Sequence, residues 1–212
     1  MNVLVVKANN RPDGVSTRMY EVFIQQLEEK ENIHMTTFDV FKEDMPYFGQ
    51  DIYNAYGKLE HNEELTELEA RLITAQQKAQ QAIKEADVVV FAFPLWNLTI
   101  PAPLHTFFDY TYAVNFGFKY NSEGKLVQLL TDKKSIILNA RGGIYSTPEK
   151  VSMEMAVNYV RNVVVNIFGM ALIDEVIIEG HHANPQEANA IVAAGIEKVK
   201  AAAHKVAALM EM

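Results

Sequence analysis

The chain has no cysteine. That absence removes disulfides, thiolate metal sites and thiol nucleophiles together, and it suits a reducing compartment, so a cytoplasmic setting is expected. Basic residues are in the minority: 19 Lys and Arg stand against 27 Asp and Glu, a formal charge of -8. A surface of that sign repels polyanions, and nucleic acid is not an expected partner. Long apolar runs are missing as well. The opening MNVLVVKANN is too short to cross a bilayer and carries neither a basic leader nor a small-residue cleavage site, so no membrane partner is expected and the segment reads as a strand. The GxxxxGK[ST] and GxGxxG phosphate fingerprints and the GxSxG nucleophile elbow are absent. His181 and His182 are adjacent, and on an extended chain such rings point apart; with no carboxylate-rich motif beside them, no metal is expected.

What remains is a regular alternation of short β-branched runs and longer amphipathic ones. With 49% hydrophobic residues in 212, the chain can bury a substantial core, and one domain over 1–212 is expected. The patterns predict strands at 3–8, 34–40, 88–93, 135–140 and 172–179. VLVV, VVVFAF and SIIL are continuous apolar runs, as parallel strands covered on both faces require. Between them, a first helix starts with Ser16 as N-cap and buries Met19, Phe23 and Leu27. A second spans about 64–86, with Leu65, Leu68, Leu72, Ala79, Ile83 and Ala86 facing inward. A third begins at Pro101 or Pro103. STPEK opens a fourth, burying Val151, Met155, Tyr159, Val163 and Ile167 and stopping at Gly169. A last helix follows Asn184, Pro185 and Glu187, which read as a capping box. The connection over 44–62 is too long for a routine one and reads as a lid or a solvated loop.

This is the α/β pattern of a doubly wound sheet: five parallel strands in the flavodoxin-like order 2-1-3-4-5, with helices on both faces. Ligands of such sheets sit beyond the carboxyl ends of the strands, at the switch point between strands one and three. Three loops meet there. In NNRPDGVSTR, the amides of Ser16, Thr17 and Arg18 lie at a helix start, an arrangement that attracts anions, with the Arg18 cation alongside. In FPLWNLTIP, rigid prolines, Pro94 among them, hold Leu95, Trp96, Asn97 and Leu98 as main-chain donors and a flat apolar wall; the plainer alternative is that Trp96 plugs the core. In NARGGIY, the glycine pair admits close approach or positive φ, so Gly142 and Gly143 offer donors and Arg141 local positive charge.

FPLWNLTIPAPLHTFFD together with ARGGIY, after an amino-terminal strand and STR, resembles the bacterial FMN-dependent NADH-azoreductases, relatives of the NAD(P)H:quinone oxidoreductases. The similarity spans essentially the whole chain. It implies a flavodoxin-like homodimer with one FMN per subunit at the subunit interface, and ping-pong transfer of two electrons from NADH to quinones or azo compounds. By position, it implies that Asn9, Ser16, Thr17 and Arg18 hold the phosphate. It implies that Pro94, Leu95, Trp96, Asn97 and Leu98 border the flavin, with the Asn97 amide near N5. Ala140, Arg141, Gly142 and Gly143 would reach the pyrimidine edge, and Tyr145 would also touch the cofactor. Many members carry histidine after R-G-G-I where this chain has Tyr145, which makes Tyr145 or solvent the proton source. The aromatic segment DYTYAVNFGFKY offers Phe118 and Tyr120 to an acceptor pocket, or else to the core. No side-chain nucleophile is needed, because the cofactor carries the chemistry. The competing class is a flavodoxin-type electron shuttle without its own small-molecule acceptor.

Overall fold

A computed structural model describes residues 1–28 and 30–210. The predicted strands form at Asn2–Lys7 (β1), His34–Asp39 (β2), Val88–Pro94 (β3), Lys134–Arg141 (β6) and Ala171–Glu179 (β7). They make one sheet in the order β2-β1-β3-β6-β7, every pair parallel. This is the expected 2-1-3-4-5 order, with two further short strands, Phe118–Tyr120 (β4) and Leu126–Gln128 (β5), set apart as an antiparallel pair.

Strand alternation sorts the core into two layers. Val3, Val5, Val90, Ile136 and Leu138 point to one face, where helices Val15–Glu28 (α1) and Ala188–Ala208 (α6) cover them with Met19, Phe23, Ile196 and Val199. Leu4, Val6, Val89, Phe91 and Ile137 point to the other face, under Glu67–Glu85 (α3), Ala102–Thr111 (α4) and Val157–Arg161 (α5). All seven residues of β3 are buried, as the central strand of a doubly covered sheet must be.

Several helix expectations change. Ser16 lies inside the first turn of α1 rather than capping it, because the helix starts two residues earlier, at Val15 behind Gly14. Thr66 caps α3 through a full capping box with Glu69, and Leu68 faces outward at 39% exposure. The 184–187 box does not form; Glu187 precedes α6 without a side-chain cap bond.

The fourth helix is broken. Thr147 and Pro148 begin only a turn and a short 3-10 segment, Val151–Met153, after which the Met155 amide bonds to the Leu98 carbonyl at 3.0 Å. Val151 and Met155 are therefore exposed instead of buried. Helix α5 starts afresh because buried Glu154 accepts the amides of Ala156 at 3.1 Å and Val157 at 2.9 Å, the orphan donors of a new first turn. It runs on as a π-helical stretch, Asn162–Ile167.

The 44–62 connection is not a loose loop. It contains an unpredicted helix, Gln50–Glu60 (α2), which buries Ile52 and Ala55. Its Lys58 pairs with Glu69 of α3 at 2.7 Å, and Gln76 of α3 donates to the Tyr56 hydroxyl at 2.7 Å. These polar ties fix α2 on the outer side of α3.

Candidate functional site

The carboxyl ends of β1, β3, β6 and β7 open onto a cleft lined from the sequence expectation by Asn9, Ser16, Pro94, Leu95, Trp96, Ala140 and Gly142. Each end contributes a different kind of surface.

Behind β1, Asn9 and Ser16 are each 2% exposed and share a short hydrogen bond from Asn9 Nδ2 to Ser16 Oγ. Asn9 Oδ1 also accepts the Arg11 amide at 2.9 Å, and Thr17 Oγ1 donates to the Arg11 carbonyl at 2.6 Å. Side chains thus hold the turn's shape. Gly14 is required by close packing, because a Cβ there would lie 2.9 Å from Asn9 Nδ2 and 3.1 Å from the Arg11 carbonyl. The amides of Ser16 and Thr17 have no partner among the described residues, whereas the Arg18 amide donates to the Gly14 carbonyl at 3.1 Å. Arg18 is exposed and does not line the cleft, so its expected part in the anion site is corrected; Arg11, Asp13 and Val15 line it instead. Two free amides on a helix start suit a phosphate.

Behind β3, Leu95 donates to the Ala140 carbonyl at 2.9 Å, and Trp96 and Thr99 exchange both main-chain bonds at 2.9 and 3.0 Å. Asn97 and Leu98 form the tip, at φ 51° and 69°. Positive φ at both central residues defines a type I′ turn. The amides of Leu95 and Trp96 are thereby used, and those of Asn97 and Leu98 remain free among the described residues. Trp96 is half-buried and edge-on to Phe41 at 6.0 Å; it walls the cleft and is not a core plug.

Behind β6, Arg141 is 6% exposed and its guanidinium is spent: Nε donates to Glu179 at 2.9 Å, and NH1 lies 3.6 Å from Glu154. It offers no free charge to a ligand, which corrects that expectation. Burial pushes the Glu179 carboxyl upward, but bonds from Ser146 Oγ and the Tyr145 amide, with the Arg141 charge, outweigh it and hold Glu179 below its ordinary value. The amides of Gly142 and Gly143 are free among the described residues, but neither glycine has positive φ. Gly142 is required by contact: a Cβ there would lie 2.4 Å from His182 Nδ1. Tyr145 packs back under Arg141, with the guanidinium 5.8 Å from its ring centre, and does not line the cleft.

Sequence reasoning missed the fourth wall. Gly180 turns the chain after β7 at φ 85°, so His181 and His182 do not point apart; their ring centres lie 4.5 Å apart and both line the cleft. No group of three or more metal-ligating side chains occurs among the described residues. Phe118 is 3% exposed, packed 4.9 Å from Tyr112, and lines no part of this cleft; Tyr120 is 58% exposed. Phe118 is thus core in its own chain.

A cleft with an anion-seeking helix start at one end, a flat apolar wall in the middle and free amides at its rim belongs to the flavin-binding class of doubly wound proteins. The chain belongs to the family described as having a flavodoxin-like fold, whose profile matches residues 1–203. More narrowly, it is 45% identical over 206 residues to the FMN-dependent NADH:quinone oxidoreductase 3 of Bacillus cereus, covering 96% of this chain and 98% of that one. The FMN-dependent NADH:quinone oxidoreductase 1 of Bacillus subtilis is 40% identical over the same shares. The crystal structure of an azoreductase from Bacillus anthracis strain Sterne superposes with a TM-score of 0.87 at 44% identity, covering 96% of this chain and 99% of that one.

Proposed function

We infer that this protein is an FMN-dependent NADH:quinone oxidoreductase that also reduces azo compounds. The observation that carries the reading is the cleft itself: the free amide of Ser16, the Pro94–Leu95–Trp96 wall and the free amide of Gly142 lie around one opening, with the free amides of Thr17 and Gly143 one residue further along each turn. The unpartnered buried Nδ1 of His181 in the same lining adds a polar atom that a phosphorylated ligand can satisfy.

When bound, FMN would supply the two-electron chemistry that links NADH to a quinone or azo acceptor in a ping-pong cycle. The chain binds and orients. Ser16, Thr17 and Asn9 would hold the phosphate, with α1 directed at its charge. Pro94, Leu95 and Trp96 exclude water from one side of the ring system. The Asn97, Gly142 and Gly143 amides would face the ring's polar edges, where fixed donors favour the negative charge that reduction brings. Solvent delivers the proton to the acceptor, since Tyr145 packs back under Arg141 outside the cleft lining. Arg141 acts as a positioning residue, anchoring the glycine turn through Glu179.

The chain works as one domain and as a homodimer with the cleft at the subunit interface. Apolar side chains exposed near the cleft support this: Met155, tied to the tip of the Trp96 turn, and Met153 are 49% and 44% exposed. Tyr120, exposed in its own chain, is then available to the partner's acceptor pocket, with Phe118 bracing it from below at 5.8 Å. Among the described residues no helix is long and apolar enough to cross a membrane. The -8 charge disfavours nucleic acid, so small molecules are the proposed partners, and a cysteine-free chain suits the cytoplasmic setting proposed for it. The test is NADH oxidation by FMN-loaded protein with menadione or methyl red. Turnover with either acceptor supports the enzyme; reduction of the bound flavin with no turnover on small acceptors supports the electron shuttle instead.

A further inference from the structure

The cleft has donors but no uncompensated arginine. Arg11 pairs with Asp13 at 3.0 Å, and Arg141 pairs with Glu179 at 2.9 Å. Arg18 stands outside the lining. A phosphate monoester carries about 1.5 to 2 negative charges at neutral pH. A helix start returns only about half a charge. The remaining charge needs a partner, and only two lining groups are able to gain one: His181 and His182.

Their placement is built into the fold. The Gly180 amide donates to the Arg141 and Gly143 carbonyls at 3.2 and 3.1 Å, and the His182 amide donates to the Gly142 carbonyl at 3.0 Å. The β7 turn is thereby laced to the glycine turn of β6. His181 is 8% exposed, and its Nδ1 has no hydrogen-bond partner among the described residues. A buried ring nitrogen left unpaired is unfavourable unless a ligand pairs it.

We propose that His181, backed by His182, completes the phosphate site, donating from Nδ1 to a phosphate oxygen and taking up a solvent proton as the dianion binds. The proposal rests on the FMN reading above. The charged and titratable groups around it are Arg11 and Asp13 from the β1 turn, Arg141, Tyr145 and Glu179 beyond the glycine pair, and His182 against its ring. The arginines and acids among them are mutually paired, so the incoming dianion is the one large uncompensated charge. Without it, burial and then the His182 charge hold the His181 imidazole below its ordinary value. A bound dianion reverses that preference, since an opposite charge within a few ångströms favours the protonated ring. At pH 8 a phosphate monoester, with its second pKa near 6, is already doubly ionised, so a proton taken up then lands on imidazole.

The deciding experiment is calorimetric titration of the full-length, flavin-stripped protein at pH 8 with FMN and with riboflavin, in two buffers of different ionisation enthalpy. The expected result is net proton uptake with FMN and none with riboflavin. His181→Gln is expected to abolish the uptake and weaken FMN about tenfold or more, the size of a hydrogen bond to a charged group, while leaving riboflavin affinity within about twofold. FMN binding to the wild-type chain without proton uptake overturns the proposal alone, whether or not the variant folds. So does a folded His181→Gln that binds FMN as tightly as the wild type. Binding of neither flavin overturns the cofactor assignment, and this proposal with it.

Discussion

The turn behind β1 and the turn behind β6 both present free main-chain amides to one cleft, but they are held in opposite ways. The first is neutral and local: Asn9, Thr17 and Gly14 lock to atoms within seven positions of one another. The second is ionic and long-range, because Arg141 is anchored by Glu179, 38 positions along the chain. A local turn has few ways to fail at once. A turn held by a buried ion pair fails as a unit, since removing one partner strands the other charge.

Breaking the ionic turn should have the largest effect. Glu179→Gln cancels the charge paired with buried Arg141, whose nearest remaining carboxylate is Glu154 at 3.6 Å, and leaves one acceptor oxygen where two now serve Arg141, the Tyr145 amide and Ser146. A loss of about 3 kcal/mol in urea unfolding is expected, together with weakened FMN binding. Gly142→Ala tests the same turn sterically. Its Cβ must displace the His182 ring, so a loss of about 1–3 kcal/mol is expected unless the ring finds another rotamer, and His182→Ala in the same chain should recover most of it.

On the neutral side, Asn9→Ala removes the bonds to Ser16 Oγ and the Arg11 amide. About 1–2 kcal/mol of stability should go, with FMN affinity falling more than riboflavin affinity. The smallest effect belongs to the tip of the Trp96 turn. Asn97→Gly preserves the positive φ and the free amide, and should leave both stability and flavin affinity nearly unchanged, within about 0.5 kcal/mol. Asn97→Pro cannot adopt φ 51°, so it would dismantle the turn rather than delete a single donor.

Acid separates the two turns. The folded Glu179 value is lowered, so the native state binds this proton less readily than the unfolded chain does. Its stabilisation is full above the unfolded carboxylate value and is lost as pH falls through the lower folded one. His181, also lowered, acts in the same direction but earlier: below about pH 6.5 the unfolded chain takes up the imidazole proton first, and stability declines. Unfolding followed from pH 8 to pH 3 should show both slopes. Glu179→Gln should flatten the acidic one, to which Asp13, Asp44, Glu69 and Glu149 also contribute, and retain the one near neutrality.

Much of this was legible in the sequence. The five sheet strands lie within one or two residues of their apolar runs, because a strand buried on both faces leaves an unbroken β-branched signature, as VVVFAF does. The cleft-facing Asn9, Ser16, Trp96 and Gly142 were legible from their place at the switch point. What was illegible depends on contacts between distant segments. Nothing local to Arg141 says that its charge is cancelled by Glu179 and Glu154. Nothing in STPEK says that Met155 will bond to Leu98 and break the helix. Gly180 before His181 and His182 was the available signal for the fourth wall, since a glycine at a strand end permits the turn that faces both rings into the cleft. Helix α2 was hidden by DMPYFGQDIYNAYGKLEHN, whose Gly and Pro punctuation reads as a loop although Ile52, Ala55 and Tyr56 share a face against α3.

The most direct measurement of the central claim is the identity of the small molecule retained by the folded chain. Protein incubated with riboflavin 5′-phosphate, desalted and then denatured should release about one equivalent of that compound per chain by mass spectrometry. Folded protein that releases none would contradict the account at its root.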